Sequence, residues 1–223
     1  MRPLQPGSRT FSARSSPERR PGTRMRRGKT RAHLQAADHD FKPDDKLTPF
    51  GIFLPDLNEV YFYMTPSTVT ADFIVDCLRN FWRLLRFSFP KVTTLLLNLD
   101  NGPENNSRRS QFMARLTRLA DECGLTIHLA YYPHYCSKYN PIERVWGVLE
   151  QHWNGDLLDS RDTVLRLAAS MTWNGFSPVV TFVTKTYQTG VHLSKQAMTA
   201  LENRLGRLPT LPKWFVEIVP RSS

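Results

Sequence analysis

Only three cysteines occur among the 223 residues (Cys77, Cys123 and Cys136), odd in number, far apart and without a CxxC pair. That spacing excludes a disulfide framework and argues against a zinc-thiolate site; free thiols in a reducing compartment are expected. His134 and Cys136 stand two apart, but no second ligand pair with zinc spacing accompanies them. No run of about 20 apolar residues is present, so no membrane-spanning helix is expected. The first residues lack the apolar core of a secretory signal and consist largely of arginine, proline and serine, so a cytoplasmic location is expected. Acidic residues are scarce at the same end. Residues 1–37 hold ten Lys/Arg against one acid, Glu18, a net of +9. The remaining 20 basic and 19 acidic residues leave +1 of the chain's +10. A basic arm of this kind binds phosphates through counterion release, or is a solvated tail with no partner.

What is present begins near Ala36. Upstream, Pro3, Pro6, Pro17 and Pro21 interrupt any period, and a disordered arm over residues 1–37 is expected. Thr48–Leu54 and Val60–Met64 are β-branched and aromatic runs separated by Pro55-Asp56-Leu57-Asn58, the pattern of a hairpin. Thr70–Phe87 places Phe73, Ile74, Cys77, Leu78, Phe81, Leu84 and Leu85 at helical spacing. Val92–Leu99 is almost continuously apolar, as in a strand buried on both faces, and ends in Asp100-Asn101-Gly102. Helices are expected over Ser107–Glu122 with a Gly124 cap, from Asn140 to about Trp153, over Asp162–Thr172 and over Lys195–Leu205; a strand is expected at Leu125–Ala130. The order β-β-α-β-α-β-α implies one α/β domain with a mixed sheet, residues 38–223, ending in a helical extension.

Two acids stand out by position. Asp100 closes a buried strand and Glu143 opens a later helix, and elements of that kind converge at one edge of an α/β sheet. Hard divalent cations take carboxylate oxygens, and paired cations drive phosphoryl transfer. Both residues also have structural readings. Asp-Asn-Gly is sound turn chemistry, and Asn140-Pro141-Ile142-Glu143 reads as an N-cap, a first-turn proline and a reciprocal capping carboxylate.

LNLDNGPEN (Leu97–Asn105) and HLAYYPHYCSKYNPIERVWGVLEQHWNG (His128–Gly155), with TKTYQTGV (Thr184–Val191) and LPKWFVEI (Leu211–Ile218), resemble insertion-sequence transposases with a DDE domain. The match lies with the Rhodopirellula-type group and, more distantly, mariner-like enzymes, and runs from about Ala37 to Val219. The resemblance implies a ribonuclease H-like fold, two Mg²⁺ or Mn²⁺ ions, and cleavage and joining of DNA at transposon ends. A nucleoid-associated location and homo-oligomers accompany it. It aligns Asp100 with the second catalytic acid and Glu143 with the third. The first acid of the family lies on a central strand, in an apolar-apolar-Asp-Thr-Lys run, and residues 1–37 contain no such run. The strand character at Thr10-Phe11-Ser12 leads to no acid. The sheet is therefore expected to lack its first central strand, as in a truncated transposase, with Asp38 and Asp40 as the nearest substitute acids. A catalytically inactive DNA-binding remnant is the alternative.

Among other residues, Arg108, Arg109, Lys138 and Arg144 flank the two acids and are candidate phosphate contacts, or plain solvated charges. Glu104 shapes the turn, touches DNA or is an exposed acid. Trp146 and Trp153 lie on the apolar side of their helix with Ile142, Val145 and Leu149, which favours core packing over base stacking. Tyr131, Tyr132, Tyr135 and Tyr139 line a channel or pack a loop.

Overall fold

A computed structural model describes residues 47–133 and 139–221 in full, and residues 8–15 as backbone. Among the described residues a single mixed sheet has the order β6-β3-β2-β1-β4-β5-β8-β7. Its strands are β1 (Ser8–Ser15), β2 (Thr48–Leu54), β3 (Glu59–Thr65), β4 (Thr94–Leu99), β5 (Thr126–Tyr131), β6 (Val179–Phe182), β7 (Leu205–Arg207) and β8 (Phe215–Ile218). Five helices accompany them: α1 (Ala71–Leu85), α2 (Ser110–Cys123), α3 (Ile142–His152), α4 (Arg161–Ser170) and α5 (Lys195–Glu202). This is the mixed α/β architecture that a ribonuclease H-like fold requires.

The hairpin forms as the runs predict. β2 and β3 pair antiparallel from Thr48↔Thr65 to Leu54↔Glu59. A short 3-10 turn at Pro55–Leu57 joins them, closed by Asn58 at φ 56. Alternation along β2 and β3 sends Phe50, Ile52, Tyr61 and Tyr63 to one core, shared with α1 and α2. Phe53, Val60, Phe62 and Met64 go to a second core, built with α3 and α4. The sheet is therefore covered on both faces. Thr70 caps α1 by accepting from the Phe73 N–H at 3.2 Å, and Gly124 ends α2 at φ 65.

Several expectations change. β4 is not equally buried on its two faces: Leu95, Leu97 and Leu99 are buried, while Thr94, Leu96 and Asn98 are partly exposed. The helix expected to reach Leu205 stops at Glu202, and Leu205–Arg207 becomes β7 on the sheet edge. The expectation of a missing central strand is corrected. β1 lies between β2, antiparallel to it, and β4, parallel to it. Ladder hydrogen bonds on both sides hold a segment whose side-chain pattern gives little sign of a strand. The sheet thus reaches into the span expected to be a disordered arm; the rest of that expectation, with Asp38 and Asp40, falls outside the described residues.

Candidate nucleic-acid active site

The parallel ladder between β1 and β4 ends at Ala13↔Leu99. One step further, Arg14 stands at the level of Asp100, and on its other side Arg14 pairs with Gly51 of β2. Gly51, Arg14 and Asp100 thus form a row across three strands, and two strand spacings of about 4.8 Å separate its ends. α3 begins above this row. A Cβ built on Gly51 would lie 2.9 Å from Ile142 Cδ1 and 2.7 Å from Trp146 Cζ2. Glu143 follows Ile142 in the first turn of α3. Asp100, just past β4, and Glu143, in the first turn of α3, thus stand towards the same end of the sheet.

The turn around Asp100 is built from its own side chain. Oδ1 accepts from Asn105 Nδ2 at 2.8 Å and from the Gly102 N–H at 3.3 Å. Asn101 takes φ 61, and a Cβ on Gly102 would come within 3.4 Å of Asp100 Oδ1. Asn105, 4% exposed, therefore orients the carboxylate. Sequence reasoning passed over Asn105 because an Asp and an Asn five apart in a loop share no period. Tyr131 ends β5 beside this turn; burial, Arg207 and Asp100 all act on its phenol, and burial dominates, raising it far above the ordinary range. It is a buried strand residue that stays neutral.

At Glu143 the capping-box reading is corrected. Asn140 is fully buried, and among the described residues neither atom of its amide has a partner; its carbonyl accepts from the Glu143 N–H at 3.0 Å. Pro141 holds the cap position. The remaining candidates divide. Glu104 is a structural acid: it accepts from the Ala71 N–H at 3.1 Å, at the start of α1, and pairs with Arg109 at 3.2 Å. Arg109 is thus engaged within the fold, whereas Arg108 and Arg144 are exposed. Lys138, His134 and Cys136 lie outside the described residues. Trp146 stacks on Phe62 with ring centroids 4.9 Å apart, and Trp153 is buried beside it, so both are core residues.

The family description that matches is the Rhodopirellula transposase DDE domain, over residues 9–220. The chain belongs to that family. The match starts within β1, upstream of the Ala37 limit that the quoted motifs suggest. Comparison with curated proteins and with solved structures gave no match. Membership of this transposase family supports a transposase-type function and DNA as the partner. Among the described residues, no helix is long and apolar enough to cross a membrane, and no group of three or more His, Cys, Asp or Glu side chains is disposed to hold a metal ion.

Proposed function

We propose that this DDE transposase domain binds DNA with an incomplete metal site, formed by Asp100 and Glu143, and that its strand-cleavage and transfer chemistry is impaired. The observation behind this reading is the row Gly51–Arg14–Asp100. The sequence of β1, SRTFSARS, contains no carboxylate, and an arginine stands level with Asp100. Two carboxylates at one sheet end fit a single Mg²⁺ or Mn²⁺ ion whose other positions go to water and phosphate oxygens. They do not fit the two-ion arrangement implied by the family resemblance, which needs a further acid.

When bound, the cation supplies charge neutralisation at a phosphodiester. The chain's own residues supply orientation: Asn105 and the Gly102 N–H fix one oxygen of Asp100, the first turn of α3 fixes Glu143, and the exposed Arg108 and Arg144 attract the DNA backbone. A role confined to DNA binding is favoured by the same strand, β1, because its sequence offers no carboxylate to complete a metal site beside Asp100. A cytoplasmic, nucleoid-associated protein acting as a homo-oligomer completes this reading.

The test is restoration. Arg14→Asp should tighten Mn²⁺ binding, measured by calorimetry, at least about tenfold, and Asp100→Asn in that background should abolish the gain. Labelled transposon-end DNA should be retained but uncut by the wild-type chain. Strand transfer by the wild type at ordinary transposase rates would overturn the impairment. Mn²⁺ binding insensitive to both Asp100→Asn and Glu143→Gln would remove these acids as ligands.

A further inference from the structure

Beside the Asp100 turn, on the side away from Arg14, lies a cavity of about 430 Å³ lined by Asn101, Asn106, Ser107, Arg108, Lys213 and Trp214. It is made by two segments distant in sequence, the approach to α2 and the approach to β8, and both are fastened. Ser107 Oγ donates to the Lys213 carbonyl at 2.9 Å. The Arg207 guanidinium donates to the carbonyls of Ser107 (2.9 Å) and Pro212 (3.2 Å), and is itself held by Glu202 at 2.8 Å. The Trp214 carbonyl accepts from the Tyr131 N–H at 2.9 Å. The cavity is therefore preformed. Its wall begins at Asn101, one residue past Asp100.

The lining has two kinds of chemistry. Arg108 and Lys213 are exposed, and among the described residues neither forms an ion pair, unlike Arg109 and Arg207. α2 starts at this wall with no acid in its first turn, so its positive end adds to the same field. Trp214 is partly exposed, packs against the core and lines the cavity. Phosphate-binding cations together with an aromatic surface form the recognition set for a nucleotide whose base is unstacked. The volume lies in the range of sites for small ligands, about 300–1,000 Å³, which admits one nucleotide but not a duplex.

We infer that this cavity holds one unpaired nucleotide of the DNA strand engaged at Asp100, its base against Trp214 and its phosphate between Arg108 and Lys213. The inference rests on the reading that the chain binds DNA. A free nucleotide has the same chemistry and is separated from a DNA strand by the competition arm below.

Binding of fluorescein-labelled duplexes, blunt or with a three-nucleotide overhang, by the full chain and followed by anisotropy, is the test. Trp214→Ala and the double substitution Arg108→Gln, Lys213→Gln should each weaken overhang binding roughly tenfold, and Trp214→Phe should stay within about threefold because the aromatic face is kept. Blunt-duplex affinity should fall less than about threefold for the two Trp214 substitutions, whereas the double substitution, which also removes a backbone contact at Arg108, should weaken overhang binding at least about threefold more than blunt binding. A 5-iododeoxyuridine placed in the overhang should photocrosslink to Trp214 of the wild type, a readout that does not depend on any variant folding. Equal losses for overhang and blunt duplex, or crosslinks only elsewhere, overturn the inference while DNA binding stands. Displacement of the overhang duplex by micromolar thymidine monophosphate overturns it in favour of a free-nucleotide site. No binding of any DNA by the wild type defeats the parent reading and this one with it.

Discussion

Asp76, on α1, gathers four side-chain partners. It accepts from Arg79 at 2.7 Å, Arg115 at 2.6 Å, Lys185 at 2.7 Å and the Tyr187 hydroxyl at 3.2 Å. These partners come from α1, α2 and the segment after β6, so one carboxylate ties three parts of the chain. Desolvation alone would raise its pKa, but Lys185 and Arg115 outweigh it and hold the carboxyl below its ordinary value of 3.8. A depressed folded-state pKa means that the ionised form is favoured by folding. This contribution is present in full above the unfolded-state value and is lost as pH falls through the folded-state one. Asp76→Asn should therefore cost about 1–3 kcal/mol at pH 7, from the charged hydrogen bonds lost. Urea titrations of the two chains at descending pH should show that gap closing once pH drops below about 4. A gap unchanged at low pH would show that packing, not charge, supplies the effect. At this scale the sequence is uneven. The positions of Asp100 and Glu143 at the end of β4 and the start of α3 are legible because their neighbours predict those elements. Asp76 and Asn105 are not, because their partners arrive from elements that no local pattern connects.

Elements follow the same division. The β2–β3 hairpin, α1, β4, α2 and β5 are readable because each combines a period with a turn or cap of known chemistry. β1 is not. Its eight residues include three serines and two arginines, and what makes them a strand is the pair of ladders offered by β2 and β4. β8, which pairs with β5, and β7, which pairs with β8 at the sheet edge, are short strands whose addition to the sheet is a long-range event. The contact between α3 and β2 is likewise invisible before folding, though Gly51 in a run of large residues hints at it. Without a Cβ there, the Trp146 ring lies directly against the backbone of β2, and Phe62 stacks on that ring. Gly51→Ala should destabilise the domain by about 1–3 kcal/mol through overpacking, measured by denaturant unfolding. Because the nearest obstruction is the indole, with Ile142 Cδ1 next, Gly51→Ala combined with Trp146→Phe should cost less than the two single changes summed. Additive costs would mean that the strain lies elsewhere.

Across the whole molecule, charge and fold overlap in a way that composition conceals. The excess charge sits in residues 1–37, yet residues 8–15 of that span form the strand at the centre of the sheet. Deleting the span to ask whether it binds DNA would remove β1 along with the charge, and a loss of binding would then report unfolding. Substitution separates the two. Residues 16–37 contain Arg19, Arg20, Arg24, Arg26, Arg27, Lys29 and Arg31. Replacing these seven by glutamine leaves β1 intact and lowers the net charge from +10 to +3. Each phosphate contact steepens the fall of log K with log salt by about 0.9. If this segment supplies the non-specific hold on DNA, the slope for a blunt duplex should flatten by about 3 or more, while the difference between overhang and blunt duplex, which belongs to Trp214, Arg108 and Lys213, should persist. A slope that does not move would assign the electrostatic contact to the folded face around Arg108 and Arg144.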